Sequence, residues 1–244
     1  APAPCGHASR GGAMNGFFIT GTDTGVGKTL VTAALLRAWN ALGVAAVGMK
    51  PVAAGAERVN GIWVNEDVAM LRAASPVAAP PELMNPYLFR DPIAPHIAAE
   101  RKGTTIQLPR LRAACEDLGD MAELVLVEGV GGFRVPLNDR QDTADLAVAL
   151  GLPIILVVGM RLGCINHTLL TVEAIQARGL TLAAWVANRI DPDMAAYAEN
   201  LDALMRRVPA PLLAELPVLE PPEPERVARF IPPLGLGRLH PSSR

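Results

Sequence analysis

The sequence predicts a doubly wound α/β fold, in which helices cover both faces of a mostly parallel sheet. Two observations predict it. Short apolar runs alternate along the chain with segments whose apolar residues recur at helical spacing. The apolar runs are continuous instead of alternating with polar residues, which is typical of parallel strands buried on both faces. Right-handed crossovers between such strands give a three-layer sandwich.

The strands are predicted from the continuous apolar runs. The second run is followed by Lys50 and Pro51, and proline ends a strand because it has no N–H for the sheet. The third run is followed by Glu128 and a run of glycines. In chain order, the predicted strands are residues 16–20, 44–49, 124–127, 154–158, 182–187 and 212–216.

The helices are predicted from apolar residues at helical spacing, and two of them stop at a glycine, Gly43 and Gly179. Only short helices are expected within residues 51–109, because this stretch is rich in proline and alanine. In chain order, the predicted helices are residues 28–42, 66–74, 93–101, 108–118, 143–150, 164–178 and 194–207.

Length and local composition predict one main domain. Residues 1–13 are small, polar and aperiodic, so we expect a disordered extension or tag before Met14. Residues 14–233 are expected to form a single α/β domain, which is an ordinary length for this class. The proline-rich chain from Pro217 is expected to be irregular, with residues 234–244 as a tail.

Composition excludes several classes of protein. Half of the 244 residues are hydrophobic, 19% are charged and the net charge is −2, which argues against disorder and against non-specific binding of nucleic acid. The longest apolar run, Leu152–Met160, is far shorter than the ~20 residues that span a bilayer. Cys5, Cys115 and Cys164 have no metal or disulfide spacing, so a cytoplasmic protein is expected. From the charge and the short apolar runs, no membrane or nucleic-acid partner is expected.

The basic residues are strongly biased towards arginine. Of 22 basic residues only Lys28, Lys50 and Lys102 are lysines. Lysine is a compact point charge that arginine does not replace at a tight site. The lysines that remain are therefore candidates for function.

The loop after the first strand has the composition of a phosphate cradle. Residues 21–29 read GTDTGVGKT and lead into a helix. Glycines allow close approach of the backbone, the helix N-terminus attracts anions, Lys28 would reach the outer phosphates and the Thr29 hydroxyl would hold Mg²⁺. Five residues separate Gly21 from Gly27, one more than in the standard P-loop. A chance Lys-Thr after a glycine-rich turn is the alternative interpretation.

Three charged residues lie where partners of a bound Mg·ATP are expected. Glu128 follows an apolar strand, where P-loop proteins carry a metal-binding carboxylate, and Lys50 ends a second strand at the same sheet edge. Asp67 lies at a predicted helix start, so it is either a metal ligand or a helix-end charge or cap. A solvated strand-end residue is the alternative for both Glu128 and Lys50. If the loop is a true P-loop, the fold is the P-loop NTPase-like sandwich.

Taken together, these segments resemble the dethiobiotin synthetase family of biotin synthesis, and they cover nearly all of the chain from Phe17 to Pro217. The order of GTDT-x-VGKT, KPV, VEG-x-GG and LGCINH carries the resemblance. The matching segments are residues 21–29, 48–55, 65–71, 85–89, 94–99, 124–132, 155–171, 179–188 and 209–217.

The resemblance implies an ATP- and Mg²⁺-dependent ligase. Its substrates would be 7,8-diaminononanoate, CO₂ and ATP, and its products dethiobiotin, ADP and phosphate, formed through a carbamate and a carbamic–phosphoric anhydride. It also implies a homodimer whose substrate site is shared across the interface.

The resemblance further implies a role for each matching residue. The catalytic residues would be Thr24, Lys28 and Lys50, and the Mg²⁺ ligands Thr29, Asp67 and Glu128. The substrate would contact Thr24, Lys50 and Ala54, with its carboxylate at Gly163, Cys164, Ile165 and Asn166 of the other subunit. The nucleotide would contact Gly25, Val26, Gly27, Lys28, Thr29, Leu30, Asp67, Glu128, Gly129, Val130, Gly131, Asn188, Arg189, Pro217, Val218 and Leu219.

Three positions depart from the family pattern. Ala54 lacks a hydroxyl that relatives often carry, so modestly altered substrate binding is expected. Gly25 stands where glutamate also occurs, so a looser loop is expected. Arg189 stands where an acid can occur, so purine contacts are expected to differ.

Three other classes remain as alternatives. A partitioning or septum-site switch ATPase would carry a second lysine at the position of Asp23. A cobyrinate-type amide synthetase would carry a glutaminase domain, and too few residues follow Pro217 for one. A non-catalytic nucleotide-binding module would leave the acidic residues without a role.

Overall fold

The computed structural model describes residues 14–239, and the predictions for residues 1–13 and 240–244 lie outside them. The strands are β1 (Gly16–Gly21), β2 (Ala46–Met49), β3 (Val52–Ala53), β4 (Glu57–Val59), β5 (Ile62–Val64), β6 (Tyr87–Leu88), β7 (Leu124–Glu128), β8 (Ile154–Met160), β9 (Leu182–Arg189) and β10 (Leu212–Leu216). The helices are α1 (Lys28–Ala41), α2 (Glu66–Ala74), α3 (Pro81–Met84), α4 (Pro95–Arg101), α5 (Leu108–Met121), α6 (Thr143–Leu150), α7 (Cys164–Ala177), α8 (Tyr197–Met205), α9 (Pro224–Ala228) and α10 (Pro233–Leu239).

The central sheet has six strands in the order β10-β9-β8-β1-β7-β2, and all neighbouring strands are parallel. Helices α1, α2 and α9 pack on the face that carries Phe17 and Ile19. Helices α5, α6 and α7 pack on the opposite face, which carries Phe18. Every residue of β1, β2, β7 and β8 is buried, as expected for strands covered on both sides. The doubly wound α/β prediction is therefore confirmed.

The chain between β2 and α5 contains more structure than the sequence predicted. A parallel pair, β3 with β6, and an antiparallel hairpin, β4 with β5, lie here together with the short α3. The two paired strands β3 and β6 are two residues long, too short to give a periodic signal. Helices α2 and α4 lie where short helices were expected.

The prediction of an irregular tail after Pro217 is wrong for the described residues. Helices α9 and α10 occupy much of it, and each begins with a proline at its first position. Proline suits that position because its missing N–H would have no helical partner. Val227, Ile231 and Leu236 are buried against the α1 side of the sheet, which anchors this segment. Helix α10 also continues past residue 233, the expected end of the domain.

The loops that leave the carboxyl ends of the strands meet at one edge of the sheet. In doubly wound sheets this edge carries the ligand site, and here β1 lies in the middle of it. Within residues 14–239, no helix combines the length and apolar character needed to cross a membrane.

Candidate active site

The loop between β1 and α1 has a backbone that only glycine adopts easily. Gly25 and Gly27 have φ values of +74° and +85°. A Cβ atom on Gly27 would lie 2.3 Å from Nδ2 of Asn188. Gly27 is therefore required by both backbone conformation and space. Helix α1 has no acidic residue of its own in its first turn, so the helix itself places no carboxylate at its positive end.

Asn188 holds this loop from the neighbouring strands. It lies near the end of β9 and is buried, and its Nδ2 donates a 2.9 Å hydrogen bond to the carbonyl oxygen of Val26. Because Leu216 of β10 pairs with Asn188, the segment Pro217–Leu219 leaves the sheet beside it. The guanidinium of Arg189 donates to the Pro192 carbonyl oxygen at 2.8 Å. Nucleotide contacts by these residues stay a prediction.

A buried cluster of opposite charges lies at the ends of β2 and β7. The Nζ of Lys50 lies 2.6 Å from Oε1 of Glu128 and 3.0 Å from Oδ2 of Asp67. The Thr29 hydroxyl donates to the same Glu128 oxygen at 2.8 Å. Lys50 is 4% exposed and Glu128 is 1% exposed. The structure therefore brings together four residues that the sequence placed in four separate elements.

Local structure explains how Asp67 comes to face Lys50. The cap of α2 is Asn65, whose side chain accepts a hydrogen bond from the backbone N–H of Val68 at 3.3 Å. Asn65 also donates to the Ala54 carbonyl oxygen at 3.1 Å, which ties α2 to the chain after Lys50. Asn65 caps the helix, so the cap interpretation of Asp67 is wrong. Asp67 does lie in the first turn of α2, as the helix-end charge interpretation expects, and it also pairs with Lys50.

The charges in the cluster shift the pKa values of their neighbours. Burial lowers the pKa of Lys50, but Glu128 and Asp67 together outweigh it, and the pKa lies above its ordinary value. Burial alone would raise the pKa of Asp67, yet the Lys50 ammonium outweighs burial and brings that pKa below its ordinary value. Both groups are therefore charged at neutral pH, and the pair is a true ion pair.

Lys28 has a different environment although it is close to the same cluster. It is buried, and its Nζ donates to the backbone oxygen of Asp23 at 2.8 Å. Burial, and then the nearby Lys50 charge, lower the pKa of Lys28 to about 8. A bound anion would raise this pKa again, so the Lys28 site favours a phosphate.

The cluster fits a magnesium ion. Oε2 of Glu128 is buried and has no hydrogen-bond partner among the described residues. With the Asp67 carboxylate and the Thr29 hydroxyl it gives a set of oxygen donors. Mg²⁺ prefers oxygen ligands and is usually held by one or two carboxylates together with substrate phosphates.

The predicted substrate residues fall in two places. Thr24 is exposed, and a Cβ on Gly131 would lie 3.4 Å from its hydroxyl, so the loops after β1 and β7 adjoin. The segment from Gly163 to Asn166 opens α7 after β8, with Cys164 buried and Gly163 and Asn166 exposed. Strands β8 and β2, which lead to this segment and to Lys50, lie three strands apart, about 14 Å at the usual strand spacing.

Sequence reasoning missed the part played by Asn65 and by Asp23. The signal for Asn65 was available, because asparagine before Glu-Asp is a preferred helix cap. Asp23 contacts Arg161, which is 138 residues away, and no local pattern reports such a contact.

Comparisons with known proteins found a family model and two sequence relatives that each match most of the chain. A family model described as an AAA domain matches residues 15–226. An ATP-dependent dethiobiotin synthetase of Aromatoleum aromaticum is 60% identical over 212 residues, which are 87% of this chain and 94% of the relative. A second, from Nitrosospira multiformis, is 57% identical over 206 residues, 84% of this chain and 89% of the relative.

A solved structure shares the fold. The MinC:MinD cell division protein complex of Aquifex aeolicus aligns with a TM-score of 0.57 and 15% identity, covering 91% of this chain and 94% of that chain. At that identity the likeness concerns the fold alone. The two sequence relatives match along nearly their whole length, and this chain therefore belongs to the ATP-dependent dethiobiotin synthetase family.

Proposed function

We propose that this protein closes a ureido ring on 7,8-diaminononanoate, using CO₂ and ATP and releasing dethiobiotin, ADP and phosphate. The observation that carries the proposal is the buried Lys50 beside the Lys28 loop and two carboxylates at one sheet edge. Transfer of the γ-phosphoryl group of ATP to a carbamate brings two anions together. This edge of the sheet carries the two lysines whose positive charge such a reaction needs.

The reaction has three steps that balance. One amine nitrogen of the substrate attacks CO₂ and loses a proton, giving a carbamate. A carbamate oxygen attacks the γ-phosphorus and ADP leaves, giving a carbamic–phosphoric anhydride. The second amine attacks the carbonyl carbon, the C–O bond to phosphate breaks, and the proton from that amine leaves with hydrogen phosphate.

The loop after β1 binds the triphosphate in this proposal. The backbone N–H groups of residues 25–30 and 130–131 would face the phosphates, since the two loops adjoin at Thr24 and Gly131. The Gly129 N–H donates to the Ile19 carbonyl oxygen at 2.9 Å, so Gly129 would contribute only close approach of the backbone. Asn188, Arg189 and residues 217–219 contact the purine, because they leave the sheet next to each other. Anion binding by a glycine-rich loop and a helix N-terminus follows from its free N–H groups.

Thr29, Asp67 and Glu128 would hold Mg²⁺. When bound, the ion supplies positive charge that offsets the charge of the outer phosphates. The protein's own part is to keep two carboxylates and a hydroxyl at one place, which Lys50 does here by pairing with both carboxylates.

Lys50, Lys28 and Thr24 are the proposed catalytic residues. Lys50 holds the carbamate oxygen and Lys28 bridges carbamate and γ-phosphate, so that the reacting atoms are kept in line. Thr24 is exposed at the mouth of the loop, where its hydroxyl can meet the diamine or its carbamate. Ala54 offers only its backbone and a methyl group, so the substrate loses one hydrogen bond that other family members supply.

We further propose a homodimer. The backbone N–H groups at the start of α7 suit a carboxylate, and in this proposal that carboxylate comes from the substrate bound in a neighbouring subunit's site. Leu162 and Leu170, which flank this segment, are 90% and 57% exposed. Exposed leucines beside a ligand site favour a subunit contact.

A product assay tests the proposal. The protein is incubated with 7,8-diaminononanoate, bicarbonate, Mg²⁺ and ATP, and dethiobiotin and ADP are quantified by mass spectrometry, with Lys50→Gln as a matched inactive variant. Dethiobiotin and ADP in equal amounts are expected. ADP without dethiobiotin would point to another amine or carboxylate substrate. Neither product, from a folded sample that binds ATP, would favour a binding module or a switch.

A further inference from the structure

An ion pair connects the phosphate loop to the loop that opens α7. Nη2 of Arg161 lies 2.6 Å from Oδ2 of Asp23. Arg161 directly follows β8, and its carbonyl oxygen accepts the backbone N–H of Cys164 at 3.0 Å. The pairing of β8 with β1 is continued by a 3.1 Å hydrogen bond from Thr22 N–H to the Val157 carbonyl oxygen. The sheet therefore places Arg161 beside the phosphate loop.

Asp23 is an unusual residue for a loop that receives a polyanion. Its Oδ1 accepts the N–H of Thr24 at 2.7 Å, and its backbone oxygen accepts Lys28 Nζ at 2.8 Å. The N–H of residue 24 and the ammonium of Lys28 are donors that a phosphate would use. A free carboxylate at this point would repel the triphosphate and attract Lys28 towards itself.

Arg161 counters both effects of the Asp23 carboxylate, the repulsion of the triphosphate and the attraction of Lys28. It is the cation that forms a salt bridge with the Asp23 carboxylate within residues 14–239. The carboxylate is then neutralised from the side of β8, and Lys28 is bound by the Asp23 carbonyl group and not by its carboxylate. Lys28 can leave a neutral carbonyl for a phosphate more easily than it can leave an anion.

We propose that Arg161 is a positioning residue for ATP binding, which neutralises Asp23 and thereby leaves Lys28 available to the phosphates. The proposal rests on the proposed function only in assuming that the loop binds ATP. Arg161 itself needs no contact with the nucleotide. An ordinary exposed ion pair would contribute little to any binding equilibrium, which is the competing account.

The test compares four proteins in the binding of a non-hydrolysable ATP analogue with Mg²⁺, measured by titration calorimetry at low salt. Arg161→Ala should bind about 10-fold more weakly than wild type, the effect of one unpaired charge near a surface site. Arg161→Lys should stay within about 3-fold of wild type. Combining Asp23→Asn with Arg161→Ala should restore binding, because the repelling charge is gone.

Two further measurements separate this role from a structural one. The defect of Arg161→Ala should shrink in 0.5 M salt, since charge repulsion is screened. In turnover assays the KM for ATP should rise while kcat changes little. Arg112→Ala is the matched control, because Arg112 and Glu116 form a 2.7 Å surface pair on α5. Should Arg161→Ala fail to fold, Arg161→Gln gives the same comparison.

The proposal is overturned if Arg161→Ala binds the analogue as tightly as wild type. It is also overturned if Asp23→Asn does not restore binding to the Arg161→Ala protein, because Arg161 would then contact the nucleotide directly. Its failure is distinguishable from failure of the proposed function. Absence of dethiobiotin with the expected binding pattern rejects the substrate assignment, whereas dethiobiotin with unchanged analogue binding rejects the role of Arg161.

Discussion

Replacing Lys50 with glutamine is expected to destabilise the metal-free protein and to leave it responsive to Mg²⁺. The ammonium is 4% exposed and pairs with Glu128 at 2.6 Å and with Asp67 at 3.0 Å. Its loss leaves two carboxylates close together, one of them with a buried oxygen that has no partner among the described residues. Breaking a buried ion pair from one side costs about 3–5 kcal/mol.

We expect the lower end of that range for this variant. Glutamine still donates hydrogen bonds, Glu128 keeps its bond from the Thr29 hydroxyl, and Asp67 is half-exposed. A loss of about 3 kcal/mol corresponds to a fall in Tm of roughly 6–12 °C for a chain of this length. Mg²⁺ should then raise the Tm of the variant more than that of wild type, because the ion no longer competes with the lysine for the carboxylates.

The assay is thermal unfolding in EDTA and in Mg²⁺, with Lys102→Gln as the control. Lys102 is exposed, and its Nζ donates to the Leu88 carbonyl oxygen at 3.2 Å, so its replacement should cost less than about 1 kcal/mol. A Lys50→Gln protein with the Tm of wild type, or with the same response to Mg²⁺, would refute the reasoning. In the product assay the variant should lose at least about 100-fold in kcat, as for the loss of one transition-state donor.

Three other predictions concern the same sheet edge. Asp67→Asn should weaken Mg²⁺-dependent nucleotide binding by at least about 10-fold, and an unchanged Mg²⁺ titration would contradict a metal role. Gly179→Ala should lower the free energy of unfolding in urea by about 1–2 kcal/mol, because Gly179 has a φ of +68° but an added Cβ would meet open space. Gly27→Ala should lower it clearly more, because its Cβ would also meet Asn188. Equal losses of unfolding free energy in the two variants would contradict the close contact with Asn188. ATP binding should weaken about 10-fold from pH 7 to pH 9. In the nucleotide-free protein Lys28, with a pKa of about 8, loses its proton over this range, and the lysine must take up a proton again when ATP binds. Lys28→Arg should flatten this profile, and identical profiles in both proteins would reject the titration of Lys28.

The fold was predictable where each element carries its own signal. Helices α2 and α6 and strand β10 have the predicted bounds, because helical spacing of apolar residues and a continuous apolar run mark them locally. The strands β3 and β6 were not predictable, since two residues show no period and their pairing depends on the partner strand. The two helices after Pro217 are held by burial against the α1 side of the sheet, which a proline-rich sequence does not reveal.

The candidate site was predictable only in part. Strand ends in a parallel sheet meet at one edge, so Lys50 and Glu128 were expected to be close, and they are in contact. Asp67 was ambiguous from spacing alone, since its direction depends on how α2 packs. The pair of Asp23 with Arg161 joins loops that are remote in sequence, and only the register of β8 with β1 places them together.

The most direct test of the proposed chemistry follows the oxygen atoms of CO₂. If a carbamate oxygen attacks the γ-phosphorus, that oxygen leaves with phosphate when the ring closes. Turnover with freshly dissolved ¹⁸O-labelled bicarbonate should therefore give phosphate with one ¹⁸O and dethiobiotin with one ¹⁸O in its ureido carbonyl, both measured by mass spectrometry. Labelled dethiobiotin together with unlabelled phosphate would contradict transfer of the γ-phosphoryl group to the carbamate.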